Sequence, residues 1–178
     1  RLGLVTVGDT TITPVKGLPP VDSAGQGGLL DVTLHPGYEA TGWIYFAYTE
    51  PKQNAAGQRM AHTVIARARL AGDHLQHFEL IYQAEQQFYR QNSNHVGSRI
   101  VFDHEGYLYF SIGDRSQGDS AQNVDFPGGK IHRLHDDGRV PEDNPFVDIP
   151  GAVVSIWSYG HRNSQGLAVD PDTGTIWS

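Results

Sequence analysis

The sequence predicts an all-β fold assembled from repeated β-hairpins, and three observations support this prediction. The 178 residues include 21 glycines and 10 prolines, a composition that suits many short strands joined by turns. One strand–turn–strand pattern occurs three times along the chain. No stretch has a convincing amphipathic helical period, and the weak candidate at residues 80–90 has a poor one.

The repeated pattern is a short apolar strand, a polar turn closed by glycine and a second strand with aromatic side chains. The first copy joins residues 29–36 to residues 42–48, the second covers residues 99–113 and the third covers residues 166–178. This arrangement is a β-hairpin signature. The equivalent positions of the three copies, 64 and then 68 residues apart, are Ile44, Leu108 and Ile176.

A repeat of about 66 residues that contains a hairpin suits a blade of a β-propeller with long insertions. Between the hairpins, residues 63–70 alternate apolar and polar side chains as a half-exposed strand does, and residues 130–134 form another strand candidate. The sequence therefore predicts a partial β-propeller domain over residues 1–178, with about 2.7 blades. Propellers have about 4–8 blades and soluble proteins avoid open sheet edges, so we expect residues beyond this chain.

Charge and composition exclude several classes of function. The net charge is −7, from 13 basic and 20 acidic residues, so the basic footprint of a nucleic-acid-binding protein is missing. No apolar run approaches the roughly 18 residues that a membrane-spanning helix requires. The sequence has no cysteine, which excludes disulfides, thiolate chemistry and zinc–thiolate sites.

A polar loop precedes each of the three hairpins, and each loop carries a side chain suited to chemistry. Gln26 lies in a glycine-rich loop, His95 follows Asn94, and Arg162 precedes Asn163. A histidine suits general-base work near neutral pH, and an arginine fork binds carboxylates and oxyanions. Equivalent loops of a propeller lie on one face around the axis, so Gln26, His95 and Arg162 are predicted to converge on one central site.

Each of these residues, taken singly, also has a purely structural explanation as a solvated turn, a hydrogen-bonding loop residue or a tie between blades. The acidic turns at residues 136–144 and 170–174 contain oxygen ligands of the kind that calcium prefers, but Asp-Gly hairpin turns explain them equally simply. Two His-x-x-His pairs have metal-compatible spacing without a further ligand. We therefore predict no metal ligand within this chain.

The three loops and their neighbouring strands resemble the soluble PQQ-dependent sugar dehydrogenases, the aldose and glucose dehydrogenase family. The similar stretches follow the family order over nearly the whole chain and comprise residues 25–30, 94–114, 129–146 and 159–167. This resemblance implies a six-bladed β-propeller that holds pyrroloquinoline quinone (PQQ) over its central axis, with this chain covering roughly the first half.

The resemblance also implies roles for individual residues. His95 matches the catalytic base, and Arg162 matches the arginine beside the quinone carbonyl that receives the hydride. Asn163 matches a cofactor-binding amide, and Gln26 matches a glutamine that lines the cofactor and sugar pocket. Asn94, a candidate substrate-binding residue, stands where the glucose-dehydrogenase branch has an aspartate, which leaves the preferred sugar open.

The implied reaction is oxidation of the C1 hydroxyl of an aldose to a lactone by hydride transfer to PQQ, followed by transfer of electrons to an external acceptor. The implied cofactors are PQQ and Ca²⁺, whose ligands are expected downstream of this chain, and the implied location is periplasmic or secreted. One alternative is a non-catalytic propeller that serves as a binding module. A less favoured alternative is a metal-dependent lactonase-type hydrolase, which needs acidic ligands at the axis.

Overall fold

The structure, a computed structural model, describes residues 2–178 and consists almost entirely of β-strands and loops. Its helical segments are the single turn α1 (Tyr38–Thr41) and two short 3₁₀ turns at Gln86–Phe88 and Gly118–Gln122. The strands are β1 (Gly3–Leu4), β2 (Thr13–Pro14), β3 (Leu29–Leu34), β4 (Trp43–Gln53), β5 (Arg59–Ala71), β6 (His74–Tyr82), β7 (Ile100–Phe102), β8 (Leu108–Ile112), β9 (Lys130–Leu134), β10 (Ile156–Tyr159), β11 (Ala168–Val169) and β12 (Ile176–Trp177).

Two four-stranded antiparallel sheets follow each other along the chain. Strands β3–β6 pair in sequence order and form blade 1, and strands β7–β10 pair in the same way and form blade 2. Strands β11 and β12 form a further hairpin, and β1 pairs with β2 in a separate two-stranded sheet. The three predicted hairpins are therefore β3–β4, β7–β8 and β11–β12, which occupy the same place in successive units.

The main apolar core lies between the two blades. The odd-numbered side chains of β4 and β5, which include Tyr45, Ala47 and Ile65, face blade 2 and are fully buried there. The partners from blade 2 in this cluster are Ile100, Leu108, Phe110, Ile112 and Leu134. Face-to-face burial of successive four-stranded sheets is the packing of propeller blades, so the core of this fold lies between sheets.

Each blade also uses its other face. On blade 1 the side chains of Phe46, Tyr48 and Val64 pack against the N-terminal segment through Leu18 and Val21. On blade 2 a smaller cluster around Tyr109 and Ile131 packs against the hairpin β11–β12. Part of the outer face of blade 1 stays uncovered, and its exposed apolar side chains are Val32, Leu34, Phe78 and Leu80.

The structure corrects one detail of the sequence-based prediction and agrees with another. Residues 63–70 do form a strand, within β5, but it is a central strand buried on both faces and not a half-exposed one. The alternation of apolar and polar residues predicts a solvent-exposed polar face. This prediction is wrong because neighbouring elements cover Thr63 and Arg67, two of the polar positions. Residues 80–90 do not form a helix, because their first part completes β6 and Gln86–Phe88 forms one 3₁₀ turn.

The acidic turns have structural explanations in the folded chain. Asp170 accepts hydrogen bonds from the backbone N–H groups of Asp172 and Thr173, which closes the β11–β12 turn. Asp137 is paired with Arg139 in the turn after β9. No helix within residues 2–178 is long and apolar enough to cross a membrane.

Candidate active site

The loop that joins blade 1 to blade 2, residues 92–98, is the centre of the candidate site, and we call it the base loop. It enters β7 directly and carries His95 with a φ of 51°, a left-handed conformation that is uncommon for a residue other than glycine. The peptide bond between Gly97 and Ser98 is cis. Thr63 of β5 donates its hydroxyl to the carbonyl of Val96 at 2.5 Å, which ties the base loop to the central part of blade 1.

His95 forms a hydrogen-bonded pair with Asp114, a residue that directly follows β8 and Gly113. The distance from His95 Nδ1 to Asp114 Oδ1 is 2.7 Å, and the Asp114 side chain is only 2% exposed. The same Asp114 oxygen accepts the backbone N–H of Ser116 at 2.8 Å. An ionised carboxylate only accepts hydrogen bonds, so this contact places the imidazole proton on Nδ1 and leaves a lone pair on Nε2.

The other edge of His95 remains accessible. The histidine side chain is 20% exposed, and no group among residues 2–178 forms a hydrogen bond with Nε2. A neutral imidazole with one nitrogen fixed by a buried carboxylate and the other open is the arrangement of a general base. The geometry can therefore accept a proton from a group bound at this face.

Gln26 lies beside His95, as the sequence predicts. Its side-chain Oε1 accepts the backbone N–H of His95 at 2.7 Å, and its own backbone N–H donates to the carbonyl of Ser93 at 3.0 Å. The neighbouring Gly25 has a φ of 58°, and a Cβ added there would lie 2.9 Å from the Cβ of Ser93. Gln26 thus holds the base loop through its oxygen, and its side-chain NH₂ is left for a ligand.

Asn163 and Arg162 reach the same place from the loop before the third hairpin. The side-chain oxygen of Asn163 accepts the backbone N–H of Gly97 at 3.0 Å, and the carbonyl of Arg162 accepts the N–H of Asp114 at 2.7 Å. The Arg162 side chain is exposed, and within the described chain its guanidinium has no carboxylate partner. An exposed guanidinium without a carboxylate partner is suited to an anionic or carbonyl-rich ligand.

Asn94 is exposed and adjacent to His95 in sequence. Its backbone N–H donates to the side-chain oxygen of Asn92 at 2.8 Å, and its own side chain contacts no hydrogen-bond partner among residues 2–178. The structure therefore brings Gln26, His95, Arg162 and Asn163 together by direct contacts between their loops. The structure places Asn94 at the accessible edge of the base loop, where its side chain forms no hydrogen bond with the described residues.

Gly113 allows these loops to approach each other. A Cβ added at this position would lie 2.2 Å from the carbonyl oxygen of His95 and 2.7 Å from the side-chain oxygen of Asn163. Separations of this size are far inside van der Waals contact. The Gly-Asp pair after β8 therefore has two functions, since the glycine admits the base loop and the aspartate binds its histidine.

The loop that carries Arg162 is anchored on blade 2. Gly160 N–H donates to the carbonyl of Ala121 at 2.8 Å, and His161 N–H donates to the carbonyl of Gly129 at 3.0 Å. Buried Lys130 stabilises the same region, because its ammonium donates hydrogen bonds to the carbonyls of Ala121 at 2.9 Å and Gly128 at 2.7 Å. Burial lowers the pKa of Lys130 to about 8, since the charged form loses hydration.

Two residues of the site were not predicted as functional from the sequence. Asp114 lies in one of the stretches that resemble the sugar dehydrogenases. Nothing in its local sequence distinguishes it from other aspartates that follow strands. Arg115, next in the chain, is fully buried and also has a left-handed φ of 55°. Both acquire their contacts from the base loop about 20 residues earlier, a relation that becomes visible only when the blades are assembled.

The part of the chain that the structure describes contains no cluster of metal ligands. No group of three or more His, Cys, Asp or Glu side chains within residues 2–178 is arranged to hold a metal ion. The His-x-x-His pair that begins at His132 is structural, because the two nitrogens of that ring contact Ser155 Oγ and the carbonyl of Pro127.

Comparisons with known proteins identify the family of this chain. The model of the family described as "Glucose / Sorbosone dehydrogenase" matches residues 1–178. The chain is 38% identical over 166 residues to the "Aldose sugar dehydrogenase YliI" of Escherichia coli (strain K12), an alignment that covers 92% of this chain and 43% of the relative. The chain thus spans less than half the length of that relative.

Solved structures resemble the chain over almost its whole length. A protein described as "glucose dehydrogenase" superimposes with a TM-score of 0.90 at 37% identity, covering 99% of this chain and 54% of the other. The PQQ-bound form of the aldose sugar dehydrogenase (Adh) from Streptomyces coelicolor gives a TM-score of 0.76 at 28% identity, covering 98% of this chain and 48% of the other. These likenesses confirm the predicted β-propeller fold.

Proposed function

Because the chain belongs to the glucose/sorbosone dehydrogenase family, we propose that the whole protein is a quinoprotein oxidoreductase that oxidises the C1 hydroxyl of aldose sugars to lactones. The observation that carries this proposal is the pair of His95 and Asp114, with Nδ1 fixed at 2.7 Å from a buried carboxylate and Nε2 open. A two-electron oxidation of a sugar hydroxyl requires removal of its proton, and this pair is built to accept one.

His95 is the proposed general base. Its Nε2 takes the proton of the C1 hydroxyl, and the imidazolium that forms is stabilised by the Asp114 carboxylate at Nδ1. The bonds from Gln26 to the His95 backbone and from Asn163 to the Gly97 backbone hold the imidazole in position. Such fixed placement of a base contributes to rate because the alignment is complete before the substrate binds.

PQQ fits the donor set that this chain presents. The cofactor carries carboxylates and quinone oxygens, all of them hydrogen-bond acceptors, and the chain offers the Arg162 guanidinium with the side-chain NH₂ groups of Gln26 and Asn163. When bound, PQQ supplies a quinone that accepts the C1 hydride, so the sugar is oxidised and the cofactor reduced by two electrons. Arg162 is proposed to stabilise the negative charge that develops there.

Asn94 is proposed to contact the sugar, an external acceptor to reoxidise the cofactor, and the protein to act in the periplasm or outside the cell. Calcium ligands are proposed to lie outside residues 1–178. The domain is proposed to be a partial propeller of about 2.7 blades within a longer chain.

The two alternatives predict different chemistry. A non-catalytic binding module has no need for a histidine fixed by a buried carboxylate, so the His95–Asp114 pair favours the enzyme. A metal-dependent hydrolase needs acidic ligands at the axis, whereas the residues proposed for the axis in this chain are Gln26, His95, Arg162 and Asn163.

The decisive experiment replaces His95 in the full-length protein. We expect His95→Ala to reduce aldose-dependent dye reduction by about 10²-fold or more, the usual contribution of a general base, while PQQ affinity measured by absorption titration stays close to that of the parent. His104→Ala is the matched control, since His104 is an exposed turn residue between β7 and β8.

Two results would contradict the proposal. Unchanged turnover of His95→Ala would remove the histidine from the mechanism. A full-length parent that shows neither a spectral change with PQQ and calcium nor sugar-dependent dye reduction would favour the binding module.

A further inference from the structure

We infer that Arg115 and Asn92 form a clasp that positions the base loop, which makes Arg115 a positioning residue for sugar oxidation by His95. This inference rests on the proposed function and extends it to two residues outside the groups that are proposed to bind the sugar and the cofactor. It is carried by a set of reciprocal hydrogen bonds and by a buried arginine whose charge lacks a direct partner.

The clasp connects the start of the base loop to the segment after Asp114. The side-chain NH₂ of Asn92 donates to the carbonyl of Arg115 at 2.8 Å, and the guanidinium of Arg115 donates from Nη2 to the carbonyl of Asn92. The backbone N–H of Arg115 donates to the carbonyl of His95 at 3.3 Å. Arg115 therefore bonds both the first residue of the base loop and the residue that carries the base.

Asn92 transmits this contact within the loop. Its side-chain oxygen accepts the backbone N–H of Asn94 at 2.8 Å, so one amide joins Arg115 to the residue before His95. His95 and Arg115 both adopt left-handed φ values, 51° and 55°, which residues other than glycine hold only when surrounding contacts impose them. The reciprocal bonds of the clasp are contacts of that kind.

The buried guanidinium is costly for the fold. Arg115 is fully buried, its Nε and Nη1 atoms have no hydrogen-bond partner, and none of the ion pairs within residues 2–178 includes it. Burial lowers the pKa of Arg115 to about 10, and the nearby Arg59 and Arg90 act in the same direction while Asp22 opposes them. An apolar side chain of similar volume would avoid these desolvation costs.

Arg133 of the same blade provides the contrast. It is also buried, but its guanidinium pairs with Asp143 at 3.2 Å and lies over the rings of Tyr107 and Trp157. The charge of Arg133 is therefore balanced by an ion pair and by two aromatic rings, and none of these partners belongs to the base loop. Among the described residues, the Arg115 guanidinium has neither a carboxylate partner nor an aromatic ring against it. Its hydrogen bond is to the backbone carbonyl of Asn92.

The test uses Arg115→Met in the full-length protein loaded with PQQ. Because a displacement of about 1 Å in a reacting group can cost up to about 10²-fold, we expect kcat to fall by about tenfold to hundredfold. The KM for the aldose and the affinity for PQQ should stay close to the parent values, since neither ligand contacts Arg115. The thermal midpoint should stay the same or rise, because an unpaired buried charge has been removed.

A second measurement does not depend on activity. Hydrogen–deuterium exchange should become faster in peptides covering residues 92–97 of Arg115→Met and should stay unchanged in β9 and β10. Asn92→Ala, an exposed substitution, should reproduce the loss of kcat, and the double variant should be no slower than the worse single variant because both changes open the same clasp.

Arg133→Met is the matched control, and we expect it to leave kcat and the exchange of residues 92–97 unchanged. The inference would be overturned by unchanged exchange at residues 92–97, by a kcat equal to that of the parent, or by additive effects of the two clasp substitutions. A parent protein that oxidises no aldose would instead contradict the proposed function, and the exchange measurement would still decide whether the clasp exists.

Discussion

At the scale of single residues, the candidate site is a histidine held from three sides. Asp114 fixes one ring nitrogen, Gln26 binds the backbone N–H of His95, and Gly113 leaves room for its carbonyl. These contacts come from two different loops, the one that holds Gln26 and the one that holds Gly113 and Asp114, so the position of the ring is determined by the packing of the blades. Substitutions that keep the histidine but change one of these neighbours should therefore affect catalysis.

Asp114→Asn tests the part that the carboxylate plays. The amide preserves the shape of the side chain but removes the negative charge and can present its NH₂ to Nδ1, which favours the wrong tautomer of His95. We expect kcat to fall by about 10²-fold in the full-length protein, with PQQ affinity retained. Asp143→Asn is the control, as Asp143 is a largely exposed carboxylate of the same blade. Equal turnover in both variants would show that Asp114 only supports the fold.

Gly113→Ala tests the close approach of the loops. The added methyl group would overlap the His95 carbonyl and the Asn163 side chain, so we expect a loss of about 1–3 kcal/mol in the free energy of unfolding, together with a lower kcat. Gly166→Ala should change stability by less than about 0.5 kcal/mol, because its Cβ would meet open space. Urea denaturation of the two variants makes the comparison. Similar stability of both would mean that the loops separate without cost.

The sequence supports His95 and Arg162 as candidates but not Asp114 or Arg115, for a physical reason. Loops at equivalent places in a repeat converge, so their chemistry can be inferred from spacing. Asp114 and Arg115 act through contacts with a loop about 20 residues earlier, and neither periodicity nor turn chemistry specifies such a contact. Gln26 is an intermediate case, since its location is predictable but its bond to the His95 backbone is not.

At the scale of elements, the central strands of the two blades carry polar side chains in fully buried positions. His62 on β5 lies against Tyr89, and His132 on β9 stacks on Phe110 with an interplanar angle of 8°. Burial lowers the pKa of His62 to about 4 and that of His132 to about 3, since neither site hydrates an imidazolium. Both rings are therefore neutral in the folded protein at ordinary pH.

These histidines make stability depend on pH. Their folded pKa values lie below the unfolded value near 6.5, so their contribution is complete above pH 6.5 and is lost as the pH falls towards 4 for His62 and 3 for His132. Over that range each histidine should reduce the free energy of unfolding by up to about 1.4 kcal/mol per pH unit.

Urea denaturation between pH 6.5 and pH 5 measures this slope, in a range where most carboxylates remain ionised. His62→Gln should show a shallower slope than the parent, and His104→Gln should keep the parental slope because His104 is exposed. A parental slope in His62→Gln would mean that His62 is protonated in the folded state or not buried.

At the scale of the whole molecule, stability resides between sheets, and this explains which predictions failed. Hairpins could be predicted because turn residues and alternating strands are local features of the sequence. The burial of β5 on both faces could not, because one cover comes from blade 2 and the other from the N-terminal segment. The same reasoning identifies a face of blade 1 that lacks a cover within residues 2–178.

The last prediction concerns residues 1–178 produced alone. Val32, Leu34 and Leu80 are each 46–52% exposed on the outer face of blade 1, and Phe78 is 38% exposed. Several exposed apolar side chains on one sheet favour association, so we expect this segment to bind a hydrophobic dye and to aggregate. Replacing Leu34 and Leu80 by threonine should reduce both effects.

Neither the isolated segment nor its threonine variant should oxidise an aldose when PQQ, calcium and a redox dye are added. Arg162 and Gln26 are exposed in this segment, and other blades are proposed to complete the site around them. The full-length protein under the same conditions is the control, and robust activity of the isolated segment would show that two blades and one hairpin suffice.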